Sequence, residues 1–179
     1  REELRQVIDI AFDGARHLSV DLEGDLAAIP LQVHATYSRE EVLEALDFQN
    51  APNTMREGVR YIAKHNVDAF FITLKKSEAD YSPTTLYRDY PISQHLFHWE
   101  SQSTTSLNSP TGRRYINGSS QVLLFARLEQ RGPFGTAPYL FLGPATYVNH
   151  EGERPIAITW RLQHALPAEF FAAASAVAI

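Results

Sequence analysis

The chain has 179 residues, with 16 Lys and Arg against 21 Asp and Glu, so its net charge is −5, and it contains no cysteine. This composition excludes disulfides and thiolate metal sites, and it argues against a surface that is basic all over. No apolar run reaches the roughly 18 residues that a membrane-spanning helix needs. We therefore expect a single domain over residues 1–179, cytoplasmic and without a membrane partner.

The first third of the chain predicts helices. Apolar residues recur at helical spacing over residues 1–18, which predicts an amphipathic helix. An alternating run over residues 31–37 predicts a short strand. Ser38 and Glu41 then have the spacing of a capping box, which marks the start of a second helix.

The rest of the chain predicts mainly strands. Residues 68–74 and 121–127 are rich in aromatic and β-branched side chains, as buried strands are. Further short apolar runs, separated by Gly and Pro turns, continue to residue 162, and an apolar helix is predicted over residues 167–177. The fold class is therefore α+β: N-terminal helices, a curled and mostly antiparallel sheet in the form of a partly open β-barrel, and a C-terminal helix.

The stretch over residues 87–105 holds the densest set of chemically informative side chains. It contains one of the two tryptophans together with tyrosines, histidines, hydroxyls and amides, the groups that read a planar, hydrogen-bonding ligand. Alternation along a strand places Trp99 on one face and His98 and Glu100 on the other. The alternative interpretation is a core strand whose aromatic rings only fill volume.

Positive charge gathers around this stretch. Residues 75–131 carry seven Lys and Arg against five Asp and Glu, a net charge of +2, whereas residues 1–74 carry −6. A local basic patch on an acidic body is sufficient to hold a phosphate backbone, although a mixed solvated surface also explains it. Within this region, residues 101–112 predict a polar loop and residues 113–116 a short strand.

No familiar catalytic motif is present. His95 and His98 are three residues apart, and on a strand they point to opposite faces, so they do not form a metal-chelating pair. The sequence has no phosphate-binding loop and no nucleophile elbow. The acid of a nuclease Glu-x-Lys element is also missing, because Thr73 and Leu74 stand two residues before Lys75 and Lys76. We expect no catalytic residue, metal or cofactor. A nuclease with an unfamiliar active site around His98, Glu100 and Glu151 is the remaining enzymatic alternative.

Several motifs resemble one family. They are the segments 31–38, 71–78, 138–144 and 150–162, the pattern Ser-Pro-Thr-Thr-x-Tyr-x-Asp-Tyr-x-Ile-Ser at 82–93, and Phe-His-Trp-x-Ser-Gln at 97–102. Over residues 31–170 the chain resembles the C-terminal domain of long bacterial superfamily-2 helicase and restriction-type proteins, which often carry a phospholipase-D-like nuclease domain upstream. The resemblance implies that the chain, which starts at Arg1 and not at Met, is the C-terminal module of a longer protein. It also implies helicase and nuclease domains of that protein as partners.

The resemblance and the residue types together predict a non-catalytic DNA-recognition module of a restriction or phage-defence system. In this hypothesis Trp99 or Tyr90 stacks on a base, modified or flipped out of a duplex, while Asp89, Ser101 and Gln102 read its edge. Basic side chains and a loop hydroxyl hold the phosphates: Lys75, Lys76, Arg113, Arg114 and Thr104. The alternative is a protein-interaction module that docks on its own helicase, favoured by the apolar terminal helix and the acidic first third.

Overall fold

The computed structural model describes residues 3–5, 18–48, 58–75, 88–132 and 135–177. The helix predicted over residues 1–18 therefore lies outside the described residues, apart from three helical residues at 3–5. The predicted site residue Lys76 also lies outside them.

Helices and strands alternate along the described chain. The longer helices are α1 (Arg39–Ala45), α2 (Pro110–Asn117) and α3 (Ala168–Val177), and short 3-10 turns occupy Gly24–Leu26 and Ala63–His65. The strands are β1 (Val20–Asp21), β2 (Gln32–Val33), β3 (Thr36–Tyr37), β4 (Val59–Ile62), β5 (Val67–Thr73), β6 (Tyr90–Pro91), β7 (Leu96–Glu100), β8 (Gln121–Arg127), β9 (Arg131–Gly132), β10 (Gly135–Thr136), β11 (Tyr139–Glu151) and β12 (Ala157–Leu162).

The main sheet is open and mixed. Its strands follow the order β4-β5-β8-β11-β12-β7-β6, and β3 also pairs with β11. All neighbours are antiparallel except β5 and β8. The register of β11 shifts between Phe141 and Gly143 and again between Tyr147 and Asn149, and such bulges bend a strand. The α+β class, the mostly antiparallel sheet and the C-terminal helix are confirmed, and the sheet does not close into a barrel.

The central strands of the sheet are buried on both faces. Along β5 every residue is buried, because alternate side chains enter two different cores. Phe71 faces a core built with residues 20–48, including α1. Phe70 faces an aromatic core that contains Trp99, Tyr115 and Trp160. A strand buried on both faces reads as a continuous apolar run, which is the pattern of this strand in the sequence.

The strand predicted over residues 113–116 is wrong, because these residues lie in helix α2. The Ser109 hydroxyl caps this helix by accepting the Gly112 amide proton at 3.0 Å, and Pro110 occupies its first turn. Gly118 ends it in the left-handed region, with φ of 61°. The residues that start and end this helix are close to it in the sequence. They determine the conformation of residues 113–116 more strongly than the short Arg-Arg-Tyr-Ile pattern, which favours a strand.

The shorter predictions over the N-terminal third are confirmed only in part. Ser38 and Glu41 form the predicted capping box at the start of α1, with both reciprocal hydrogen bonds present. The single strand predicted over residues 31–37 is instead divided into β2 and β3 by a turn at His34, whose φ is 69°. A positive φ is incompatible with a continuous strand.

Candidate functional site

A cavity of about 390 Å³ opens between the edge strand β4, the start of β5, the loop after β7 and helix α2. Its size falls within the range of about 300 to 1,000 Å³ that is usual for small-ligand sites. Aromatic rings, hydroxyl groups, one amide, two arginines and one aspartate line it: Val59, Arg60, Tyr61, Asp68, Trp99, Gln102, Thr104, Thr105, Ser109, Thr111, Arg114 and Tyr115.

Among the described residues that line the cavity, Asp68 alone carries a carboxylate, and this group is fully buried and paired. Arg114 donates from Nε to Oδ2 of Asp68 at 2.7 Å and from Nη2 to Oδ1 at 2.9 Å. Ser120 donates its hydroxyl proton to the same Oδ2 at 2.5 Å. The hydrogen bond to Asp68 raises the pKa of the Arg114 guanidinium above its ordinary value, and burial opposes this rise. A buried carboxylate is stable only when it is paired in this way, so Arg114 is held in one orientation.

The aromatic walls differ in exposure. Tyr61, on the edge strand β4, is 38% exposed, and the Cζ atom of Arg114 lies 4.1 Å from its ring centroid, within cation–π distance. Trp99 is only 6% exposed, with its ring centroid 4.4 Å from that of Phe70 and 5.6 Å from that of Tyr115. Tyr61 is therefore the wall residue with a ring surface available to a ligand, whereas Trp99 forms the wall from within the core.

A close backbone approach holds the rim of the cavity together. The loop after β7 packs directly on α2, and a Cβ atom placed on Gly112 would lie 2.1 Å from the Ser106 carbonyl oxygen. The same carbonyl accepts the Ser109 hydroxyl at 2.7 Å. Only glycine at position 112 leaves room for this contact, which positions the threonines of the loop beside α2.

Replacing Gly112 by Ala should lower the free energy of unfolding by about 1 to 3 kcal/mol, the usual cost of overpacking. In an unobstructed helix interior the same change stabilises by up to about 1 kcal/mol, so the sign of the effect reports the contact with Ser106. Urea denaturation measures it, with Asn117→Ala at the exposed end of the same helix as the control. A gain in stability for Gly112→Ala would show that the loop does not pack on α2 as described.

Residues 31–174 match the family described as Domain of unknown function (DUF3427). The chain belongs to this family. The match covers most of the chain, and it is compatible with a helicase-associated domain. A comparison with curated proteins gives no match.

The cavity of this DUF3427 domain brings together some of the predicted site residues: Trp99, Gln102, Thr104 and Arg114. Lys75 lies elsewhere, since it follows the opposite end of β5 from Asp68, about 20 Å away at the rise of a strand. Its ammonium group pairs with Glu129 at 2.7 Å. Arg113 is exposed on α2 but does not line the cavity.

The other predicted site residues, Ser101, Asp89 and Tyr90, make structural contacts between β7 and its neighbours. The Ser101 hydroxyl is buried and accepts the Ile156 amide proton at 2.9 Å. An Asp89 carboxylate oxygen accepts the Glu100 amide proton at 3.1 Å. Tyr90 stacks on His98, with ring centroids 4.7 Å apart, on the face of β7 opposite Trp99. These contacts link β6, β7 and residue 156, outside the lining of the cavity.

Sequence reasoning missed Tyr61, Asp68 and Tyr115. Asp68 carried a usable signal, because an acid next to the start of an otherwise apolar, buried strand requires a buried partner. Its partner Arg114 is 46 residues away, so local patterns do not identify it. No sequence pattern distinguishes Tyr61 from the other tyrosines, and only its place on β4 puts it at the edge of the sheet.

Among the residues that the structure describes, no group of three or more His, Asp or Glu side chains is arranged to hold a metal ion. None of the helices described here has the length and apolar character needed to cross a bilayer. The nuclease alternative around His98, Glu100 and Glu151 stays an untested prediction; in that region His98 Nε2 lies 3.9 Å from a Glu100 carboxylate oxygen.

Proposed function

We propose that this DUF3427 domain is a non-catalytic DNA-recognition module that reads a single base inserted into the cavity between β4, β5, β7 and α2. The observation that carries the proposal is the cavity itself, which is concave, walled by aromatic rings and rich in hydrogen-bonding groups. The proposal includes the predicted setting: the C-terminal module of a cytoplasmic helicase-type restriction or defence protein.

The aromatic and hydrogen-bonding lining of the cavity favours a planar ligand. A base has to leave its stack to enter such a cavity, as it does in single strands or after flipping. Such a base stacks on the part of the exposed Tyr61 ring that the Arg114 guanidinium leaves uncovered. Gln102 and Thr104 supply an amide and a hydroxyl, groups that distinguish donors from acceptors on a base edge.

The ion pair between Asp68 and Arg114 changes which residues we propose as phosphate contacts. Asp68 neutralises Arg114, and the Arg60 guanidinium lies over the Phe48 ring, 5.3 Å from its centroid, on the other face of the sheet. The positive charge available to a phosphate backbone near the cavity therefore comes from Arg113, which is exposed on α2. Phosphate contacts of this kind position a strand without reading its sequence. Arg114 is left with a different role, developed in the next subsection.

Fluorescence-anisotropy titrations at two salt concentrations test the proposal. The ligands are matched duplexes, unmodified, cytosine-methylated or hydroxymethylated, together with single strands. We expect salt-dependent binding with a preference for one of these ligands.

Tyr61→Ala should weaken DNA binding by about 1 to 3 kcal/mol, the free energy of stacking one base on one aromatic ring. Tyr90→Ala is the matched control, a tyrosine outside the cavity whose loss should leave affinity unchanged. No binding at micromolar protein would contradict the proposal.

Docking on the parent helicase is the second candidate, and helix α3 favours it. This helix is almost entirely apolar in sequence, yet of its residues Ala174 alone is fully buried in the described structure. An apolar helix left half exposed is suited to contact another domain. A domain that binds no DNA but associates with the isolated helicase would establish this candidate instead.

A further inference from the structure

We infer that the base accepted by the cavity is guanine, read through its O6 and N7 atoms by Arg114. This inference rests on the proposed function, since it specifies the base that the proposed module reads. It assigns Arg114 to the base edge, whereas the sequence predicted that Arg114 holds a phosphate.

The ion pair with Asp68 decides which protons of Arg114 remain available. A guanidinium group has five N–H bonds in one plane. Asp68 accepts one from Nε and one from Nη2, in the side-on arrangement. The protons left are the two on Nη1 and the second on Nη2. One Nη1 proton and the remaining Nη2 proton point in the same direction, so they form a fork at the end of the side chain.

This fork is held rigidly where a ligand can reach it. Asp68 is fully buried, while the side chain of Arg114 keeps 19% of its surface exposed and lines the cavity. The Tyr61 ring covers the guanidinium, with Cζ 4.1 Å from the ring centroid. A fork that is fixed in advance loses little conformational entropy when it binds.

The fork requires two adjacent acceptors on the ligand. Guanine presents O6 and N7 side by side, and a bidentate arginine contact to this edge is the commonest specific contact in DNA recognition. Adenine presents N7 beside an amino group, so one of its donors would face a donor of Arg114. Thymine presents O4 beside a methyl group. Cytosine has adjacent acceptors at N3 and O2, and a phosphate group has adjacent oxygens. Both could accept from the same fork, so the experiment below includes both as competing ligands.

The aromatic surroundings of the fork favour a base over a phosphate. Hydrogen bonds to the fork place the ligand close to the guanidinium plane, because the N–H bonds lie in that plane. Tyr61, Trp99 and Tyr115 line the cavity, Tyr61 with an exposed ring and the other two from within the aromatic core. Such walls complement a flat ring, whereas a tetrahedral phosphate has no flat face to set against them.

The experiment changes the ligand and leaves the protein intact. Short thymidine single strands of equal length carry one central guanine, 7-deazaguanine, adenine, cytosine or abasic site, and each is titrated against the whole chain by fluorescence anisotropy. We expect the guanine strand to bind about tenfold or more tightly than the adenine and abasic strands. We also expect 7-deazaguanine, which lacks only the N7 acceptor, to lose most of that advantage.

Each other outcome overturns the inference in a distinguishable way. Equal binding of guanine and 7-deazaguanine, or tighter binding of cytosine, would refute guanine reading while leaving DNA recognition standing. Binding that ignores the base but is displaced by inorganic phosphate would assign the fork to a phosphate. Failure of every strand and every duplex to bind would sink the proposed function together with this inference.

A pair of variants supplies the matching test on the protein side. Arg114→Lys keeps the positive charge beside Asp68 but removes the planar fork, so it should abolish the guanine preference. Arg161→Lys makes the same exchange at an exposed arginine of β12 that does not line the cavity, and should retain the preference. Circular dichroism confirms that both variants are folded. A guanine preference that survives Arg114→Lys would exclude Arg114 as the reader.

Discussion

Replacing Arg114 by Met should lower the free energy of unfolding of this DUF3427 domain by about 3 to 5 kcal/mol, one of the largest effects of any single substitution outside the hydrophobic cores. The reason lies in the partner that remains. Asp68 is fully buried, and without Arg114 its carboxylate keeps only the Ser120 hydroxyl as a described partner. An uncompensated buried charge costs far more than the intact pair contributes.

Two further variants separate the buried charge from the loss of side-chain contacts. Arg113→Met makes the same change at the neighbouring, exposed position of α2 and should alter stability by no more than about 0.5 kcal/mol. Adding Asp68→Asn to Arg114→Met removes the orphaned charge and should restore much of the lost stability. Urea denaturation of the set gives the free energies. An Arg114→Met loss as small as that of Arg113→Met would mean that the ion pair is solvated.

Replacing Trp99 by Ala should also cost about 3 to 5 kcal/mol, as is usual for a large aromatic residue removed from a core. Trp99 is 6% exposed, and its ring packs against Phe70 and Tyr115. His98→Ala is the control on the opposite face of the same strand. It removes a stacking contact with Tyr90, which is worth about 0.5 to 1.5 kcal/mol. Equal losses for the two variants, measured by urea denaturation, would contradict the core position of Trp99.

This second prediction bears on the two interpretations of β7. The sequence left open whether Trp99 reads a ligand or fills the core. The structure places it in the core, where it also forms part of the cavity wall. Trp99→Phe keeps an aromatic side chain in the core and is the variant to use in binding experiments. A changed base preference in a folded Trp99→Phe protein would show that the wall also shapes the site.

Part of the candidate site could be predicted because several of its functional side chains lie close together in the sequence. The stretch around β7 combines aromatic, amide and hydroxyl groups, and Trp99, Gln102 and Thr104 from this stretch do line the cavity. The role of Ser101 could not be predicted in the same way. Its hydroxyl meets the backbone amide of Ile156, 55 residues later, and only the pairing of β7 with β12 brings these two groups together.

The sequence by itself determined the elements whose causes are local. The capping box of Ser38 and Glu41 starts α1, and the apolar runs of β5 and β8 specify buried strands, because capping and side-chain alternation act within a few residues. Only the tertiary structure decided that β5 and β8 lie parallel, that the sheet stays open, and that Asp68 meets Arg114. These are choices between partners far apart in the chain, and they depend on which arrangement buries both faces of the sheet while leaving no charge unpaired in the core.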